Sequence, residues 1–166
     1  MEIMNPKDIQ PLLIRATSDV FITMIALRLS VDDQMQGGVQ FDGIPHFTAT
    51  IGFAGRWDGS VSIQCSERLA MELTAKMLMV PTTQLERIEI RDALGEIVNM
   101  IGGRFKAIFA EMFTNGIEAF RMSIPSVIMG LHFDVFAVGI DSMFSICFET
   151  LGERMQVELA LKKIAD

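Results

Sequence analysis

Nothing in this chain of 166 residues approaches the run of roughly 20 apolar residues that a membrane-spanning helix needs, although half of it is hydrophobic. The most apolar region, 124–148, is interrupted by Gly130, Asp134, Gly139 and Asp141 and reads as successive strands. The N-terminus has no positively charged stretch followed by an apolar core and a cleavage site, so no secretory signal is expected. Cysteine is scarce. Cys65 and Cys147 stand alone inside apolar patterns and are expected to be reduced, buried residues of a cytoplasmic protein. His46 and His132 are too isolated for a zinc motif, and neither cysteine has the histidine signal that nucleophilic work would need. Positive charge is also short: 14 Lys and Arg against 21 Asp and Glu leave a formal charge of −7. No basic stripe could neutralise the phosphates of a nucleic acid. Such a chain better suits a partner whose binding surface is positive. Gly102-Gly103-Arg104-Phe105-Lys106 is not a phosphate loop, lacking both the spacing and the Ser or Thr after lysine.

What is present fits one domain over 1–166, long enough for a sizeable core. Thirteen methionines, twelve phenylalanines and a positive mean hydropathy imply a well-filled core. They also imply apolar surface covered by a partner, a second copy being one candidate. A first helix is expected over 6–29, opening at Asn5-Pro6 and supported by Leu13, Val20, Ile25 and Leu27. The polar, glycine-bearing stretch 34–43 reads as a loop. Phe47–Phe53 and Val61–Cys65 alternate like strands, and Asp58-Gly59 between them predicts a hairpin turn, with Trp57 beside it. Ser66 is placed to cap a second helix running to about Met79, which Pro81-Thr82-Thr83 ends. Strands are expected near 121–129, 133–139, 143–149 and 155–162.

The most informative segment is 89–113, which reads as one long amphipathic helix. At about 100° per residue, Leu94, Ile97, Val98, Ile101, Phe105, Ile108 and Met112 fall within roughly 50° of one line, and that stripe must face a core. Glu96, Asn99 and Gly103 fall on the opposite side, joined by Asp92 and Ala110. An acid, an amide and a glycine therefore share an outward ridge. A glycine inside a helix costs about 1 kcal/mol relative to alanine, which suggests that close approach is needed there. By itself an exposed Glu and Asn at this spacing is an ordinary solvated helix face.

The complete pattern, Asp92-x-x-x-Glu96-x-x-Asn99-x-x-x-Gly103, resembles the signature of the CheC/CheX/FliY phosphatases, which act on the chemotaxis response regulator CheY. Ile51-Gly52-Phe53-Ala54-Gly55 leading into Asp58-Gly59-Ser60 is similar to the family's first hairpin. Pro125-Ser126-Val127 with Gly130 resembles the segment after the motif helix. The order of elements matches a CheX-type domain over nearly the full length. CheC and FliY types carry the signature twice; here the stretch from Pro11 to Leu29 contains no Glu and no Asn, so the single-signature, CheX-like arrangement is expected. The resemblance implies an α+β fold, a β-sheet layered with helices and the motif helix exposed along one side.

The resemblance also implies a reaction. An aspartyl phosphate hydrolyses slowly unaided, and the receiver supplies its own Mg²⁺ and lysine, so no cofactor is expected in this chain. The resemblance assigns Asn99 to orienting the attacking water and Glu96 to docking the receiver through its active-site lysine. Asp92 and Gly103 belong to the docking surface. A side-chain amide can orient water without titrating, and phosphoryl transfer responds mainly to positioning and electrostatics. Glu89, Asp92 and Glu96 form an acidic face, but oxygens from one helix alone make a poor metal cage. Two other readings stand beside the phosphatase: a non-catalytic module that docks a receiver or a flagellar-switch protein, and a structural domain in which Asn99 is buried. A homodimer built on the sheet side, around Phe133 to Phe148, is expected to leave the motif helices free.

Overall fold

Phe47, Ala49, Ile51 and Phe53 are all buried, while Thr50 and Gly52 between them are partly exposed. That period of two is the pleat of a strand with one face on a core. The computed structural model describes residues 6–34, 38–115 and 120–164. Its strands are β1 (Ser30–Val31), β2 (His46–Gly55), β3 (Trp57–Ser66), β4 (Phe120–Met122), β5 (Ser126–Gly130), β6 (Ser142–Thr150) and β7 (Glu153–Lys163). They form one antiparallel sheet in the order β1-β6-β7-β3-β2-β4, with β5 pairing β2 beside β4. Its helices are α1 (Pro6–Val20), α2 (Glu67–Leu78) and α3 (Arg87–Phe113). The inward residues of β3, β6 and β7 (Val61, Ile63, Phe144, Ile146, Val157 and Leu159) join the helices' apolar faces in a single core.

The opposite face of the sheet is polar. Register places Cys147, Gln156, Gln64 and Thr48 in one row across it, and Ser145, Glu158, Ser62, Thr50 and Ser126 in the next. Two connections lie against this face. The Val39 N–H donates to Gln156 Oε1, and His46 is stacked between Phe41 and Phe133 at ring distances of 4.7 and 4.3 Å.

Several expectations need correction. The first helix does not reach residue 29: a π-helical turn, Phe21–Ile25, ends it, and Ala26 turns left-handed with φ 56°. Leu27 and Leu29 pack on the core from an irregular segment leading into β1, so their apolar character was real but their period was not helical. The turn between β2 and β3 is not Asp58-Gly59. The β2–β3 ladder closes at Phe53↔Gly59, the two strands run on to Gly55 and from Trp57, and the chain reverses at Arg56, where Asp58 Oδ1 accepts from the Gly55 N–H at 3.1 Å. The expected strand 121–129 is divided at 123–125 into β4 and β5. The stretch 133–139 is not a strand but part of a connection on the polar face. Strands at 143–149 and 155–162 are present as β6 and β7. The helix at 67–78 begins as expected, Ser66 Oγ accepting from the Leu69 N–H at 3.0 Å. Asn5 and part of the 34–43 stretch lie outside the described residues.

Gly59 is needed for approach, not for turning. A Cβ there would lie 1.9 Å from the Ala160 carbonyl oxygen on β7. Gly59→Ala is expected to lower stability by about 2–4 kcal/mol, read as a fall in the urea midpoint. A midpoint equal to that of the unaltered protein would show that β3 and β7 can separate there without loss.

Candidate functional site

The motif helix starts where its end groups are satisfied. Glu86 caps α3, its side chain accepting from the third-residue N–H, while Glu89 Oε2 accepts from the Glu86 N–H at 2.8 Å. Reciprocal capping of this kind removes two orphan donors. From there α3 runs unbroken through Gly102-Gly103 to Phe113. Leu94, Ile97, Val98, Ile101, Phe105 and Ile108 are fully buried, as the stripe requires. Met112 departs from it at 59% exposure, with Phe113 at 41%, because the last turn extends past the packed core.

Three glycines on α3 do different things. A Cβ on Gly95 would sit 3.6 Å from Pro125 Cγ and 3.8 Å from Val127 Cγ2, and one on Gly102 would sit 3.0 Å from Ile51 Cγ2 and 3.7 Å from Met122 Cε. Residues seven apart share a helix line, so these two let the 122–127 segment lie close along one side of α3. Gly103 is different: a Cβ there would meet nothing within 4 Å. It faces open space.

Asn99 lies between Gly95 and Gly102 along the helix and is partly buried; Glu96, a turn away, is exposed. The ridge reading expects Asn99 to be as exposed as Glu96, and it is half-buried instead. Its angular position, displaced from Glu96 toward the two glycines, brings it beside the 122–127 segment and explains the difference. Neither Asn99 nor Glu96 has a side-chain hydrogen bond or ion pair among the described residues. Asp92 is exposed, with Arg91 Nε 3.5 Å from Oδ1. On the other flank Arg104 pairs with Asp19 of α1 at 2.7 Å. The structure thus brings Asp92, Glu96, Asn99 and Gly103 onto one open face. It does not bury Asn99 under another element.

The remaining candidates have structural explanations. Burial pushes the Cys65 thiol up to about 12, and Cys147 is raised for the same reason first, so neither is a ready nucleophile. Among the described residues no three His, Cys, Asp or Glu side chains are grouped to hold a metal ion, and no helix is long and apolar enough to cross a membrane. Trp57 is partly buried edge-on against Phe109, with ring centroids 5.7 Å apart. Sequence reasoning missed the roles of Gly95 and Gly102; their spacing of seven was the available signal.

The description "Chemotaxis phosphatase CheX" belongs to the family model that matches residues 47–149, which span β2 to β6. No curated protein sequence matches significantly. Among solved structures, the chemotaxis protein CheX of Desulfovibrio desulfuricans is 27% identical, with a TM-score of 0.74 over 93% of this chain and 99% of that one. CheX of Vibrio vulnificus is 25% identical, with a TM-score of 0.75 over 96% and 99%. A chain of the CheX-CheY-BeF3-Mg²⁺ complex of Borrelia burgdorferi shares the fold at 18% identity, with a TM-score of 0.70 over 93% and 98%. With the family model covering more than half of the chain and the fold shared over more than nine-tenths of it, this protein belongs to the CheX family.

Proposed function

We propose that this chain hydrolyses the aspartyl phosphate of a CheY-like receiver domain, with Asn99 orienting the attacking water and Glu96 docking the receiver's active-site lysine. One observation carries the reading. Two polar side chains of the signature lie on the open face of a helix whose opposite face is buried from Leu94 to Ile108, and neither has a hydrogen bond or ion pair among the described residues. The water oxygen bonds to phosphorus as the bond from phosphorus to the aspartyl oxygen breaks. Inorganic phosphate and the free carboxylate result, and the water's proton leaves with phosphate or solvent. The amide oxygen of Asn99 accepts from the water and holds its lone pair toward phosphorus. The metal and the lysine are the receiver's. The Borrelia burgdorferi complex contains CheX, CheY, BeF3 and Mg²⁺ together.

Truncating a side chain without intramolecular partners should leave folding nearly unchanged. Asn99→Ala is expected to cut turnover of a phosphorylated receiver by about 100-fold at an unaltered melting temperature. Glu96→Gln is expected to weaken docking, with added salt reproducing part of its effect on the unaltered protein. Label decay from a phosphorylated receiver measures both; an Asn99→Ala variant retaining most of the rate refutes the mechanism. If the unaltered protein binds the receiver without accelerating decay, the chain is a docking module instead.

Gly103 separates folding from function. Its Cβ position is open, so Gly103→Ala should raise stability by about 1 kcal/mol. The same methyl would stand where the receiver approaches, and turnover should fall. Greater stability with unchanged kinetics would remove Gly103 from the docking surface.

The chain is further proposed to form a homodimer on the sheet side. The connection after β5 exposes Phe136 at 76% and Val138 at 91%, and Met143 on β6 at 46%. Covering them would leave both motif helices free. Sedimentation at micromolar concentration should show a dimer that Phe136→Ser together with Val138→Ser dissociates; a clean monomer removes this assembly.

A further inference from the structure

We propose that the receiver is held by an apolar strip on the β4–β5 side of α3, formed by Ile88, Met129, Val127, Pro125 and Ile124, and not by the α1 side. This inference rests on the function proposed above and names the surface that recognises the partner. The strip runs alongside the ridge. Gly95, the residue before Glu96, is where Pro125 and Val127 touch the helix. Toward the start of α3, Ile88 and Met129 face a groove of about 340 Å³ whose walls also include Phe47, Val127, Arg87 and Arg91. At the other end Ile124 is 85% exposed; Ile88 is 52% and Met129 37% exposed.

Ile124 is held, not loose. The Ser123 N–H donates to the Gly52 carbonyl at 2.9 Å, the Gly52 N–H donates to Ser123 Oγ at 2.9 Å, and Ser123 Oγ donates to the Ile124 carbonyl at 2.9 Å. Pro125 stiffens the next step. An apolar side chain carried on so constrained a backbone loses little further freedom when a partner covers it.

Area decides that some flank must be used. A specific interface takes about 800 Å² from each partner, far more than the few side chains of the ridge offer. A receiver that reaches Asn99 must therefore cover one side of α3. The α1 flank presents Arg104 and Asp19, already paired with each other. The β4–β5 flank exposes the apolar side chains of Ile88, Ile124 and Met129 around a half-buried Val127, beside a polar, acidic ridge, the combination of apolar centre and charged margin that specific interfaces show. The partner is thus a receiver with an apolar projection beside its phosphorylated aspartate.

The test uses the full chain and CheY activated with beryllofluoride for binding, and phosphorylated CheY for turnover. Ile124→Ser combined with Ile88→Ser should raise Kd and KM about tenfold while kcat and the melting temperature hold, since both side chains are largely exposed. Asp19→Asn, on the other flank, should leave Kd unchanged. The strip is rejected if the double variant binds as tightly as the unaltered protein, or if Asp19→Asn is the variant that weakens binding. It is also rejected if the double variant changes the sedimentation coefficient, which would make the strip a contact between copies. Binding without turnover by the unaltered protein would overturn the phosphatase reading alone, because the Kd comparison still decides the strip. Absence of both binding and turnover would overturn both.

Discussion

The burial of one side of α3 is the constraint on which the rest depends. Six side chains, Leu94, Ile97, Val98, Ile101, Phe105 and Ile108, are removed from water. At about 1.5–3 kcal/mol each, they outweigh the roughly 1 kcal/mol that each of Gly95, Gly102 and Gly103 costs in helix propensity. The helix therefore continues through a glycine pair that would end a less well-packed one. With one face committed to the sheet, the opposite residues have nowhere to go but outward. The site is a consequence of the core.

The two buried glycines extend that logic to the flank. Because neither Gly95 nor Gly102 carries a side chain, β4, β5 and the Ser123–Pro125 link can lie against α3. The amide of Asn99 is then bordered on one side by protein and open on the other. A side chain with a wall beside it samples fewer orientations than one on a bare helix, and positioning is what phosphoryl transfer rewards. Gly103, with open space around it, is the exception among the three, since no neighbour within the described residues requires its missing side chain.

Much of this was legible in the sequence because both periods are strong. A period of 3.6 over 89–113 separated the stripe from the ridge, and alternation at Phe47–Phe53 and Val61–Cys65 located two strands of the sheet. Failures came where apolar residues serve an element of neither kind. Phe133 reads as part of a strand but stacks on His46 in a connection across the polar face. Leu27 and Leu29 read as helix but belong to an irregular segment after the left-handed Ala26. Asp58-Gly59 reads as a turn because that dipeptide favours one, yet Gly59 is required for the approach of β7. In each case a tertiary contact overrode a local preference. Met112 failed differently: its angle on the helix was right, but the core ended before it.

An amide suits the role proposed for Asn99. Asn99 has a donor and an acceptor whatever the pH of the cell, so the chain can contribute orientation without a proton transfer of its own. In the proposed reaction charge is handled separately, by Glu96 and Asp92 on the same face, where it would act on the partner's approach over several ångströms before contact. A carboxylate at Asn99 would merge the two tasks and set a negative charge against the phosphoryl oxygens. The separation of charge from water positioning that the proposed reaction calls for is compatible with the spacing of three along one helix, which places the acid and the amide side by side but not in the same place.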